Sequence, residues 1–113
     1  MHEQSIVESL LNLVLEKANE AQANKVLRIY LVVGELSGVE ETAVEFYFGF
    51  LGQNTIADKA ELFFMNVPAE LRCKNCGSVF AFENRKLNCP SCNEKKVDII
   101  SGRELYLDSI EVD

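Results

Sequence analysis

Apolar residues along the chain alternate between helical and strand-like spacing, then give way to a stretch with neither period. Residues Ser5–Ala23 carry Val7, Leu10, Leu11, Val14, Ala18 and Ala21 three and four apart, with Glu8, Glu16, Lys17 and Glu20 largely off that stripe. This predicts an amphipathic helix. Ser5-Ile6-Val7-Glu8 fits a capping box, which places Met1–Gln4 outside the helix as a short arm, and Asn24 reads as its stop. Val26–Val33 predicts a strand with Leu27, Ile29, Leu31 and Val33 on the core side. After the turn Gly34–Gly38, with a second capping box at Ser37 and Glu40, Val39–Gln53 reads as helix. Ala43, Tyr47, Phe50 and Leu51 share one face of it, with Val44 and Phe48 beside them. The aromatic cluster Phe46, Tyr47, Phe48 and Phe50 is expected to pack in the core. Glu61–Val67 predicts a strand closed by Pro68.

From Ala69 the apolar period is replaced by Cys, Asn, Gly, Lys and Pro. Strand-like patterns return at Val97–Ile100 and Glu104–Val112, where Leu105, Leu107 and Ser109 fall on one face with Tyr106 and Ile110 nearby. An apolar final strand needs a sheet to join, and the first half of the chain supplies one. The expected architecture is therefore α+β: a small mixed three-stranded sheet with two helices, plus an inserted four-cysteine domain. The expected boundaries are 1–68 and 98–113 for the α+β domain and 69–97 for the insertion.

The chain has 113 residues, 48% hydrophobic and 26% charged, which is enough apolar material for a core and argues against disorder. No apolar run approaches the roughly 20 residues of a membrane span, and no basic start leads into an apolar export signal. The chain is expected in the cytoplasm. Net charge is −7. Within 70–98, six Lys/Arg (72, 74, 85, 86, 95, 96) face four Asp/Glu (70, 83, 94, 98), so that segment is +2 and the remainder −9. Four thiolates around a divalent ion would cancel the small basic excess. Binding to nucleic acid or to an anionic membrane is thus disfavoured.

Cys73-Lys-Asn-Cys76 and Cys89-Pro-Ser-Cys92 form C-x2-C-x12-C-x2-C. Two residues between cysteines let both sulfurs reach one ion, and two such knuckles supply the four tetrahedral thiolates that zinc prefers. The turn favours a residue tolerant of positive φ after each second cysteine, and Gly77 and Asn93 are such residues. A cytosolic chain rarely uses four cysteines for disulfides. A closed four-sulfur site is normally structural, although sulfur ligands alone also admit iron and a rubredoxin-like redox centre. Neither pair opens a predicted helix, which disfavours a redox dithiol.

The one histidine is residue 2. The Met1 α-amine, the His2 amide nitrogen and the His2 imidazole can close five- and six-membered chelate rings on one ion, with Glu3 or water completing the plane. Deprotonating an amide requires a polarising metal that favours in-plane nitrogen, nickel(II) or copper(II). The bulk of His2 favours retention of Met1.

Met1-His2-Glu3-x-Ser5, the amphipathic helix, Val33-Gly34-Glu35-Leu36-Ser37 and C-x2-C…C-P-x-C before a final strand resemble the hydrogenase-maturation nickel metallochaperones of the HypA/HybF family, over nearly the whole chain. The resemblance implies nickel(II) as transferred cargo on Met1, His2 and Glu3, and structural zinc on Cys73, Cys76, Cys89 and Cys92. It further implies delivery, with a nickel-maturation GTPase, to the large subunit of [NiFe]-hydrogenase, and in some bacteria supply of urease through its accessory proteins. No catalytic constellation is visible, so a binding protein is expected, not an enzyme. The competing class is a zinc-ribbon interaction or nucleic-acid adaptor, which would not depend on His2.

Overall fold

The computed structural model describes residues 3–113. Eight elements follow in order: α1 Glu3–Glu20, β1 Val26–Gly34, α2 Glu41–Leu51, β2 Glu61–Val67, β3 Glu70–Cys73, β4 Val79–Ala81, β5 Val97–Ser101 and β6 Leu105–Val112. They form two three-stranded sheets, ordered β2-β1-β6 and β4-β3-β5. The α+β class, with two helices and small mixed sheets, is as the sequence pattern implies. The chain divides into two compact units. One comprises the residues up to Val32, Gly38–Met65 and Leu105–Asp113; the other comprises Val33–Ser37 and Asn66–Glu104.

The first unit takes its core from α1, β1 and α2. Val7, Leu10, Leu11, Val14 and Ala18 are the buried stripe of α1, and α1 packs against α2 and β6. Ile29 and Leu31 of β1 are fully buried, each worth about 2 kcal/mol over an exposed position. β1 is the central strand. Glu35 N donates to Val67 O just past the carboxyl ends of β1 and β2, which therefore run parallel. Gly34 N reaches Glu104 O at one end of β1 while Asp113 N reaches Lys25 O at the other, so β6 is antiparallel.

Several local expectations are corrected. α1 begins at Glu3, not after Ser5, so Glu3 and Gln4 belong to the helix; of the expected arm, Met1 and His2 lie outside the described residues. A carboxylate in the first turn suits the positive end of the helix dipole. Ser9 Oγ donates to Ser5 O, a bond of the helix interior. At the other end Gln22 adopts φ 53°, with Ala23 N to Ala18 O at 2.9 Å and Gln22 N to Asn19 O at 3.0 Å. This Schellman closure stops the helix before Asn24 and leaves Ala21 exposed beyond it. The N-cap of α2 is Glu40, in extended backbone and without a side-chain cap bond, so the helix starts later than the expected cap at Ser37.

Leu27 is exposed while Val26 is buried, and from Leu31 to Gly34 every residue of β1 is buried, so the strand is covered on both faces at that end instead of alternating throughout. In α2 only Val44 and Phe48 are buried; Phe46 and Phe50 face solvent. The alternation of β6 slips by one residue between Asp108 and Ser109, so Ile110 and Val112, not Ser109, continue the half-buried series begun by Leu105 and Leu107.

On the sheet face of Tyr30, its ring stacks on Phe63 with centroids 5.2 Å apart. Arg28 Nη1 donates to Glu111 Oε2 at 2.7 Å, and the Tyr30 hydroxyl donates to the same carboxylate. These bonds hold the Glu111 carboxyl below the usual range and push the Tyr30 phenol up. A depressed carboxyl adds stability above its unfolded pKa, and that stability is lost as pH falls through the folded value. Glu111→Gln is therefore expected to lower the urea midpoint at pH 7, with the gap from the unaltered protein closing below about pH 4.5. A constant gap across that window would show that the carboxylate charge is not what the pair contributes.

Candidate metal centre

β3 anchors the second unit. It pairs antiparallel with β4, setting Leu71 opposite Phe80, and with β5, setting Leu71 opposite Ile99 and Cys73 opposite Val97. Leu71 is fully buried, and Cys73, two residues on, points to the same interior. The strand thus delivers the first sulfur at its end.

The two knuckles have the same backbone. In the first, Gly77 N donates to Cys73 O at 2.9 Å and Cys73 N to Ser78 O at 2.9 Å. In the second, Asn93 N donates to Cys89 O at 2.8 Å and Cys89 N to Glu94 O at 2.9 Å. The turn needs left-handed backbone after its second cysteine, and Gly77 (φ 78°) and Asn93 (φ 63°) supply it. In each knuckle the first cysteine is buried and the second exposed.

All four sulfurs lie within 4.8 Å of one another. Cys73 Sγ is 3.5 Å from Cys92 Sγ, and Cys76 Sγ is 3.5 Å from Cys89 Sγ, so each close pair joins the two knuckles. These separations are far beyond a disulfide bond and near the roughly 3.8 Å edge of a tetrahedron with zinc–sulfur bonds of about 2.3 Å. The donor set fits structural zinc: four thiolates, a closed shell and no position for substrate. The described residues contain no second group of three or more His, Cys, Asp or Glu placed to hold a metal.

The sulfurs are themselves hydrogen-bonded, which the cysteine spacing did not reveal. Ser78 Oγ lies 3.3 Å from Cys76 Sγ, Asn75 Nδ2 donates to Cys92 Sγ at 3.6 Å, and Ser91 N donates to Cys89 Sγ at 3.4 Å. Ser78 and Ser91 also meet, Oγ to Oγ, at 3.4 Å. Asn75 and Ser91 are inner residues of the C-x2-C turns, so their position was the available signal. Bonding from the Ser78 side chain, then from its backbone, then from Cys89, brings the Cys76 thiol down to about 6. The sequence-derived cysteine set is thus brought together. Glu3 stands in the first turn of α1, half-buried, and Met1 and His2 fall outside the described residues.

No described helix is long and apolar enough to cross a membrane. Residues 1–112 match the family profile described as "Hydrogenase/urease nickel incorporation, metallochaperone, hypA". The hydrogenase maturation factor HypA of Dehalococcoides mccartyi strain 195 is 46% identical over 113 residues, covering all of this chain and 95% of that protein. The HypA of Caldanaerobacter subterraneus subsp. tengcongensis is 41% identical over 114 residues, with both chains covered completely. The solution structure of the nickel metallochaperone HypA from Helicobacter pylori superimposes with a TM-score of 0.67 at 33% identity, covering 99% of this chain and 97% of that one.

In the zinc-loaded protein, Ser78→Ala removes the hydroxyl beside Cys76 Sγ and is expected to speed release of zinc to a competing chelator about tenfold, read with a colorimetric metal indicator. An unchanged rate would mean that the hydroxyl does not stabilise the thiolate.

Proposed function

The chain belongs to the HypA family of nickel-incorporation metallochaperones for hydrogenase maturation, and from that premise we propose that it takes up nickel(II) at its amino terminus and hands it on. The ligands are the Met1 α-amine, the His2 amide nitrogen and the His2 imidazole, with Glu3 completing the plane. One observation carries this reading: the only imidazole in the chain is at residue 2, and all four cysteines are gathered in the other cluster. Nickel(II) favours in-plane nitrogen, which a set of four thiolates does not offer.

The two sites suit opposite tasks. A terminal chelate with one side-chain imidazole is open to an incoming acceptor, so its ion can be taken ligand by ligand. The zinc shell, with two of its sulfurs buried and every sulfur close to another, is built to keep its ion. The recipients are the nickel-maturation GTPase and, through it, the hydrogenase large subunit, with urease accessory proteins a further route. The protein acts in the cytoplasm as a carrier, and nucleotide hydrolysis belongs to the partner.

Calorimetric titration of nickel(II) into zinc-loaded protein whose first residue is Met1 tests this reading. One nickel per chain is expected, weakened roughly 100-fold in His2→Ala. Equal binding in both proteins, or none in either, overturns it. An extra residue before Met1 places histidine third and creates a different chelate, so the terminus is verified by mass spectrometry.

A further inference from the structure

We infer that the solvent-facing side of α2 is a docking surface for a protein partner that presents an apolar cleft rimmed by Lys and Arg. The inference rests on the delivery role proposed above and names the surface that engages the maturation GTPase.

Three observations meet on this one helix. Phe46 and Phe50 are the most exposed large hydrophobic side chains among the described residues, at 68% and 61%. Four apart, they form a single ridge. The Phe46 ring stands edge-on to Tyr47 with centroids 5.3 Å apart. The anchor is thus held before a partner arrives, which lowers the entropy lost on docking.

Gly49 lies between them in sequence, and a Cβ built there meets nothing within 4 Å. Packing among the described residues gives no reason for glycine at this position, although glycine is the poorest helix former after proline. Gly49 lies to one side of the ridge, where it borders a concavity of about 290 Å³ lined also by Glu45, Phe48, Ala57, Lys59 and Leu62 among others. An apolar ridge beside an open concavity can interlock with a second surface, which a fully polar helix face cannot do.

The charged side chains of α2 itself are all acidic. Glu41 and Glu45 lie on the helix and Glu40 is its N-cap, while Lys59 lines the concavity beside it. α1, which packs on α2, adds Glu3, Glu8, Glu16 and Glu20 against Lys17 alone. Of these carboxylates the proposed nickel site uses only Glu3. An apolar ridge inside an acidic field matches an apolar cleft with a basic rim, and the field would steer the encounter.

The test is binding of the zinc-loaded chain to the purified maturation GTPase of the same hydrogenase system, by calorimetry and association kinetics. The double variant Phe46→Ala/Phe50→Ala is expected to bind about 100-fold more weakly, with melting temperature and nickel uptake unchanged. Gly49→Leu should raise the melting temperature yet weaken binding about tenfold, a combination that a purely structural role does not give. Glu41→Lys/Glu45→Lys should slow association about tenfold at low salt, with the difference fading at about 0.3 M. Unaltered affinity in the phenylalanine and glycine variants overturns the surface and leaves the delivery reading standing. Failure of the unaltered chain to bind the GTPase overturns the surface and the partner assignment together, while nickel uptake, measured separately, still judges the metal reading. Self-association abolished by the phenylalanine variant identifies a second copy as the occupant and also overturns the proposal.

Discussion

Convergence of four sulfurs on one ion is the constraint on which the second unit depends. Its strands have four, three and five residues. In this unit the buried apolar side chains are those of Val33, Ala69, Leu71, Cys73 and Cys89, so two of the five are metal ligands. Ordering each residue costs about 1–2 kcal/mol of backbone entropy, and so small an interior does not offset that cost. A structural zinc does, because its binding free energy becomes folding free energy. Four thiolates around that ion carry a net −2, which offsets the +2 of segment 70–98.

What the metal gathers, a distant piece of chain completes. Val33–Ser37 belongs to the second unit although it lies far from the cysteines in sequence. Gly34 N donates to Glu104 O at 2.7 Å, Glu35 N to Val67 O at 2.9 Å and Leu36 N to Gly102 O at 2.6 Å. Glu35 Oε1 accepts from Ala69 N at 2.8 Å. The segment therefore bonds both stretches by which the chain enters and leaves this unit, the end of β2 at Val67 and the connection at Gly102 and Glu104. Glycine is required where they meet: a Cβ on Gly34 would lie 2.1 Å from the carbonyl oxygen of Gly102, itself at φ 107° against Ala69. The Gly-Glu-Leu-Ser stretch that reads in sequence as a turn is, in three dimensions, a clasp.

The parts legible in the sequence are those with a local physical cause. The buried stripe of α1 follows from a 3.6-residue period, and the knuckles follow from the reach of two thiolates and the need for Gly77 and Asn93 at positive φ. What escaped depends on distant neighbours or on competition between local motifs. Ser5 and Glu8 satisfy a capping pattern, yet the helix continues past them to Glu3 because a carboxylate also suits the first turn. Phe46 and Phe50 obey the helical period as well as Phe48 does, but hydrophobicity cannot say whether an apolar position faces its own core or another protein. Ser78 sits outside both C-x2-C turns, so only the folded backbone brings its hydroxyl to Cys76. Pairing of Val33–Ser37 with Val67, Gly102 and Glu104 leaves no periodic trace.

Amide hydrogen exchange before and after stoichiometric removal of zinc from the reduced protein tests most directly whether the metal holds the second unit together. The account predicts that amides of 66–104 lose their protection on metal removal while those of α1 and α2 keep theirs. Protection of the β3, β4 and β5 amides that survives zinc removal would contradict it and assign the stability of that unit to its side-chain packing.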